Sequence, residues 1–475
     1  MTPLIGFSPD AEPTTPGAIV DASNIVPYEA GMKGAPSAVS VGLPALAADC
    51  RGSAVVRQLS GSSRMFAGTS SQMYEASATA WASVGSAYSL GSDDRWAFAG
   101  FGDSVLATNG STGLIRSTGA SFSAVSGAPK GKSIVSAQGF VLVFNTDYSP
   151  DAWHCCALYD ETSWTPSIST QAARGRLVEG SGGITAAVRF GDQVVAYKSR
   201  ALFLGYYSGG DAVWTWRNVS FDVGCVGPDA VADTSIGHIF VGSDNIYHFD
   251  GTRPVSIATG VVRQWWLDNS SAEYRYKTKL LWDRDNSLVW VFFPSASSSG
   301  FCDDCIVFHT TTKQWGRVNM SVETVVNYVT PPITYDSGTP LVATYDSGPA
   351  IAFDSPFWLS SKSNPAAFGT DHVLKTLTGI PGAWSVRLGD FGDETQWSYC
   401  ADLRMRFALK PSVLTCTPIT KATSGDAAVY GSAVSFDGSK FPLRQTSRFH
   451  SYLVQGQGNA KFSAVEPTFR EAGTR

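Results

Sequence analysis

Four copies of one short word, an aromatic residue three places before a valine, recur along this chain with the same lead-in. The copies are Trp81-Ala82-Ser83-Val84, Phe122-Ser123-Ala124-Val125, Trp216-Arg217-Asn218-Val219 and Trp315-Gly316-Arg317-Val318. Each follows a polar turn that itself follows an apolar pair or triplet: Met73-Tyr74, Leu114-Ile115, Leu202-Phe203-Leu204 and Ile306-Val307-Phe308. Leu158-Tyr159 leading to Trp164 and Ile168 is a looser copy. A second repeated word precedes the first, at Phe101-Gly102-Asp103-Ser104-Val105-Leu106-Ala107 and Phe190-Gly191-Asp192-Gln193-Val194-Val195-Ala196. The aromatic markers sit at 81, 122, 164, 216 and 315, so the first two intervals are 41 and 42 residues.

A period near 40–45 with several short strands per unit is the spacing of a β-propeller blade. One four-stranded blade cannot bury both of its faces, so it must stack against neighbours, and a ring leaves none uncovered. The recurring aromatic is expected to fill the gap between adjacent blades, with Trp81, Trp216 and Trp315 largely buried at equivalent places. Phe221 to Trp266 fits the same grammar. Ile239-Phe240-Val241, the turn Gly242-Ser243-Asp244, Asn245-Ile246-Tyr247-His248-Phe249 and the turn Asp250-Gly251 read as a β-meander. The hairpin Leu280 to Phe293 reads as further blade material, and only Gly260 to Leu267 suggests a helix, of two turns. The expectation is an all-β chain with a propeller of six or seven irregular blades.

Composition supports this class. Of 475 residues, 16% are charged and 12% aromatic, with 47 Gly and 24 Pro, which is turn-rich β usage. A net charge of −5 gives no electrostatic case for wrapping nucleic acid. No apolar run of 18 residues is present, so no membrane insertion is expected, and the N-terminus lacks the pattern of a signal peptide.

The ends break the repeat. Residues 1–45 read as a Pro/Gly-punctuated N-terminal arm, of a kind that lies against a neighbour. Residues 46–360 read as the propeller. After Ser360-Ser361-Lys362-Ser363-Asn364-Pro365 the strands alternate cleanly, with Leu403, Met405, Phe407 and Leu409 on one face and Arg444 to Val454 as another strand. Residues 361–475 are therefore expected to form a separate C-terminal β-sandwich or platform domain.

Chemistry-bearing motifs are sparse. Gly127-Ala128-Pro129-Lys130-Gly131-Lys132-Ser133 resembles a phosphate loop but has one residue too few between its glycines, and a strand follows it. Cys302-Asp303-Asp304-Cys305 has metal spacing without a second ligand pair, so it reads as a polar turn entering a strand. The eight cysteines read as reduced thiols of a protein made in a cytoplasm. Histidines 154, 238, 248, 309, 372 and 450 are scattered. Asp283-Arg284-Asp285-Asn286, Asp93-Asp94-Arg95 and Asp303-Asp304 read as solvated turns. The sequence thus nominates no catalytic, cofactor-binding or metal-ligating residue, requires no cofactor, and points away from an enzyme.

An ordered set of phrases resembles a known family. Ala18-Ile19-Val20-Asp21-Ala22-Ser23-Asn24-Ile25-Val26-Pro27 in the arm is similar to the arms of tail hub or nozzle proteins of short-tailed bacteriophages, also described as packaged-DNA stabilisation or tail tubular B proteins. Gly224-Cys225-Val226 and Tyr247-His248-Phe249-Asp250-Gly251 resemble their central segment, and Arg444 to Phe449 with Gly473-Thr474-Arg475 resemble their C-termini. Where those arms continue into Arg-Pro-Gly, this chain has Lys33-Gly34-Ala35-Pro36.

The resemblance implies a non-enzymatic structural protein of the virion tail, made in the bacterial host cytoplasm. Such a protein forms a homo-oligomeric ring, a hexamer, below the portal and the tail adaptor (the head-to-tail connector), beside tail fibre, spike or needle proteins. It retains packaged double-stranded DNA and conducts it during ejection without sequence-specific binding. An acidic chain suits such a duct, because a neutral or negative wall does not tether phosphates. The propellers would sit at the periphery, with the passage between subunits. Two alternatives stay open: a carbohydrate-binding, lectin-like propeller, with aromatic platforms facing solvent, and a propeller glycoside hydrolase, with carboxylates converging at one mouth.

Overall fold

The structure is a computed structural model that describes residues 1–77, 79–119, 121–210, 212–329 and 363–474. Among these, α1 (Arg263–Asn269) and a 3-10 turn at Arg275–Lys277 are the only helical pieces; everything else regular is strand. The chain is all-β, as the repeat demands. The helix begins three residues later than Gly260, because Ala258 first closes a turn whose carbonyl accepts from the amides of Val261, Val262 and Arg263.

Six separate four-stranded sheets run up and down in the blade pattern of a β-propeller. Five come from consecutive segments: 53–85, 97–124, 131–176, 184–220 and 231–256. The sixth is composite, since Thr324–Val329, Ser363–Phe368 and Leu374–Gly379 are completed by Ser37–Ser40 from near the N-terminus. A further four strands, 279–318, have the same order but continue into a ten-stranded sheet. In these sheets the second strand is the most apolar, and Ser104–Thr108 and Leu288–Phe293 are buried along their whole length. A strand covered on both faces needs such a run rather than alternation.

The chain divides into two compact units, one of residues 39–175 and 323–377, the other of 1–38, 176–322 and 378–475. In the first, Thr324–Val329 lies against Ser53–Arg57, which lies against Ala97–Phe101, which lies against Gly131–Ala137. In the second, Ile184–Phe190, Val231–Thr234 and Lys279–Asp283 follow each other in the same way. Within each unit, successive blades therefore meet through their first strands.

Four of the five aromatic markers fall on or just before outermost strands: Trp81 and Trp315 open theirs, Phe122 precedes Ser123–Ala124, and Trp216 lies inside Trp214–Ser220, whereas Trp164 lies in the connection before Ala173–Arg176. Two of them bridge neighbouring sheets, with Trp81 5.9 Å from Phe368 and Phe122 5.3 Å from Phe66. Burial is uneven, however. Trp315 is 1% exposed, whereas Trp81 and Trp216 are only half-buried, because an outer strand is covered on one side unless something packs beyond it. What packs beyond Trp315 is the arm.

The arm does not extend from the body. Strands β1 (Ala18–Ser23), β2 (Ile25–Tyr28), β3 (Gly31–Gly34) and β4 (Ser37–Ser40) enter three different sheets of their own chain. They are joined by β5 (Trp315–Val318), the outer strand of the 279–318 run, and by the C-terminal strands β6 (Ala383–Leu388), β7 (Gln396–Leu409), β8 (Val413–Lys421), β9 (Val429–Tyr430), β10 (Gln445–Ser447), β11 (Phe449–Gln457) and β12 (Lys461–Thr474). In the ten-stranded sheet the order is β5-β2-β3-β12-β7-β10; in an eight-stranded sheet it is β1-β6-β11-β8-β9.

The strand pairing therefore departs from the boundaries read in the sequence. Residues 1–45 are not a free-standing arm. The 360/361 boundary lies outside the described residues, but 363–379 belongs to the composite blade, and the later strands share sheets with β1–β3 rather than standing alone. The expected strand from Arg444 to Val454 breaks at Arg448, where the chain passes from one sheet to the other. On β7, Leu403 and Met405 are buried and Phe407 half-buried, but Leu409 is exposed, because the register shifts around Phe407.

These environments rank the tryptophans. Trp315→Ala is expected to cost about 3–5 kcal/mol in urea unfolding, and Trp81→Ala less than half of that. Equal losses would contradict the account of what covers each ring.

Candidate functional site

The central phrase of the sequence comparison maps to a junction between the 184–220 and 231–256 sheets. The crossing segment passes so close to its neighbours that only glycine fits. A Cβ on Gly224 would lie 2.0 Å from the Lys198 carbonyl oxygen, and one on Gly227 would lie 1.8 Å from that of Tyr276. Between them Cys225 is fully buried; its amide donates to Lys198 O at 2.9 Å and its thiol to Gly227 O at 3.1 Å. Lys198 is buried too, with Nζ donating to the carbonyls of Glu179 and Gly180 at 3.0 Å each.

Tyr197 and His238 tie the same two sheets together. His238 Nε2 lies 2.8 Å from the Arg189 carbonyl, which can only accept, so the proton sits on Nε2. Nδ1 then accepts from the Tyr197 hydroxyl at 2.9 Å. Burial lowers the His238 pKa and raises that of Tyr197, so both stay neutral. In the phrase Tyr247 to Gly251, the Tyr247 hydroxyl donates to the Asp244 carboxylate at 3.0 Å, and burial with that carboxylate pushes its pKa up to about 12. Phe249 enters the core, and Asp250 accepts from the Thr252 amide at 2.9 Å to close the turn. Every member of the phrase has a structural reason.

The other sequence candidates are dispersed. Gly131 opens the strand Gly131–Ala137, so no helix N-terminus is present to hold a phosphate. Asp283 and Asn286 form the expected hairpin turn, but Asp283 is buried and Lys33 of β3 donates to Asn286 Oδ1 at 3.0 Å. Asp94 accepts from the Gly91 amide and from Ser111. Asp303 is half-buried and accepts from the Ser295 amide at 2.7 Å, and Asp304, contrary to a solvated turn, is buried against Arg317 at 2.9 Å. Cys302 and Cys305 are likewise buried rather than in an exposed turn, and burial pushes the Cys302 thiol up to about 12 and raises that of Cys305 well above its ordinary value. All eight cysteines are buried, and among the described residues no three His, Cys, Asp or Glu side chains group as metal ligands.

Sequence reasoning missed the ionic contacts. Glu323, almost fully buried, accepts from His372 Nδ1 at 2.6 Å and from the Cys50 amide at 2.9 Å. Arg64 forks onto Glu75 at 2.6 and 2.8 Å and reaches Ser117 of the next sheet at 3.1 Å. Arg116 and Ser104 meet Glu161 at 2.8 and 2.7 Å. Their partners lie 45 to 57 residues apart where they cross between sheets, so no local motif announces them. The arrangement is suited to fixing blade against blade.

No protein-family model matches the chain, and no curated protein matches its sequence. Solved structures that resemble it share the propeller fold at low identity. YCF48 bound to D1 peptide aligns with 12% identity and a TM-score of 0.39, covering 72% of this chain and 95% of that one. YCF48 from Cyanidioschyzon merolae aligns with 11% identity and a TM-score of 0.39, over 72% and 98%. Apo AztD from Citrobacter koseri aligns with 11% identity and a TM-score of 0.36, over 85% and 89%. No helix is long and apolar enough to cross a membrane.

Burial lowers the pKa of His154, His238, His309 and His450. The unfolded chain then binds more protons than the folded one once the pH falls below about 6.5, so each such histidine removes up to about 1.4 kcal/mol per pH unit there. The urea midpoint is expected to fall between pH 7.5 and 5.5. A midpoint that holds or rises would contradict the neutral, buried assignments.

Proposed function

We propose that the chain is a structural subunit of a bacteriophage virion tail, of the hub or nozzle type. Copies assemble as a ring below the portal and adaptor, retain packaged DNA and conduct it on ejection. One observation carries the reading. The arm phrase and the central phrases that support the resemblance lie about 200 residues apart in sequence but contribute to one core. Ile19, Ala22 and Ile25 of the arm and Cys225, Tyr247 and Phe249 of the central segment belong to a single buried cluster. Phrases that jointly specify one packed unit are what a shared architecture would retain, whereas chance likenesses have no reason to converge.

Charge agrees with a passive duct. A net charge of −5 gives duplex DNA no general counterion-release drive to stick. The outer partners in this reading are an adaptor or connector above and fibre, spike or needle proteins beside or below, with no sequence-specific DNA recognition.

The purified chain is expected to sediment as a ring of about six copies, the usual result of repeating one head-to-tail contact. Negative-stain images should show an axial passage wide enough for a duplex, without a dense lysine and arginine lining. A monomer at high concentration, alone and with adaptor present, would overturn the proposal, and saturable sugar binding would favour the lectin-like alternative.

A further inference from the structure

Strand β12 is fourteen residues long, yet only part of it is paired on both sides. Strand β7 holds one side from Lys461 to Thr474. On the other side, β3 pairs with Lys461 and Phe462, Thr2–Pro3 pairs with Val465 and Ala464, and the Met1 ammonium meets Glu466 at 3.3 Å. Beyond Glu466 no described strand pairs with that side, and Thr468 to Gly473 are exposed. An open edge presents backbone donors and acceptors ready for another strand. Pro467 and the register shifts opposite Trp397 and Cys400 restrict it to a short pairing rather than an indiscriminate one.

A second open edge lies at the end of the eight-stranded sheet. Strand β9 is bonded to β8 by two register pairs only, Tyr430 with Ile419 and Val429 with Thr420. Its outer side is unpaired among the described residues. Val429 is 64% and Tyr430 57% exposed, which is unusual for large apolar side chains on so short a strand. The two edges face opposite ways. The sheets stack with β6 near β2 at one end and β8 near β10 at the other. Strand β12 is open toward the β3 side, while β9 lies beyond β8, at the opposite margin. Edges facing apart cannot form a two-fold dimer with each other, but they can join successive copies head to tail, the contact that closes into a ring.

Charge selects the same occupant. Arg470 is exposed on the open part of β12, and the turn before β9 carries exposed Asp426. Glu394 sits beside that turn, accepting from the Ser424 amide at 2.9 Å. We propose that the edge of β12 from Pro467 to Gly473 receives strand β9 of a second copy of this chain. Arg470 then faces the acidic turn, and Val429 and Tyr430 are covered. The inference rests on the ring reading and names the surface that builds the ring.

Because the native cysteines are all buried, introduced surface thiols report cleanly. Arg470→Cys and Val429→Cys proteins, mixed and mildly oxidised, are expected to form an intermolecular disulfide about tenfold faster than either alone, as an oriented contact requires. Arg470→Glu should weaken assembly about tenfold, and adding Asp426→Arg in the same chain should restore it. Arg470 is exposed, so loss of fold is not at issue. If the chain forms rings but neither the cross-link nor the charge reversal has an effect, the strand-edge proposal falls and the ring reading stands. If Arg470→Cys alone cross-links as fast as the mixture, the contact is two-fold and the proposal falls. A wild-type monomer removes both.

Discussion

Backbone pairing of β2 and β3 between β5 and β12 is the constraint on which much of the second unit depends. One blade edge and the C-terminal strands never touch each other directly in that sheet; the first residues of the chain fill the space between. The fit is close. A Cβ on Gly316 would lie 2.4 Å from the Ile25 carbonyl oxygen, so any larger residue would force β2 away from β5. Ile25, Val26 and Met32 are completely buried, and with them Trp315 becomes the best-covered member of its repeat. Burying such side chains contributes roughly 1.5–3 kcal/mol each relative to exposure.

Polar contacts decide alignment rather than bulk stability. The Arg64–Glu75–Ser117 and Arg116–Glu161–Ser104 groups are largely withdrawn from water, where desolvation cancels much of the Coulomb gain. What they supply is a geometry that neighbouring sheets must adopt to keep these contacts. Tyr197 and His238 act in the same way, with a neutral pair that has one good tautomer. Such contacts favour a rigid frame.

The propeller was legible because a blade repeats. An aromatic on the outer strand and a Gly-Asp turn after the first strand recur at intervals that reflect strand length and turn chemistry alone, and Phe101-Gly102-Asp103 and Phe190-Gly191-Asp192 both lie at that turn. The role of the arm was not legible, since Ala18 to Gly34 reads as short strands with frequent turns whether it pairs at home or abroad. Long-range pairing leaves no local periodicity. Cys302 to Cys305 misled for a related reason: two aspartates in a row imply solvent, but Ser295 hydrogen-bonds the first and Arg317 pairs with the second from other segments of the chain. The glycines of the central phrase were visible as letters, and only the carbonyls of Lys198 and Tyr276 explain them.

Hydrogen exchange on the intact chain tests the central claim most directly. If β2 and β3 are interior strands of a continuous sheet, their amides should exchange as slowly as those of β5 and of β12 from Lys461 to Val465, and all should be released together as denaturant is raised. Fast exchange across Ile25 to Gly34, with β5 and β12 still protected, would mean that the arm is an appendage and would contradict the account.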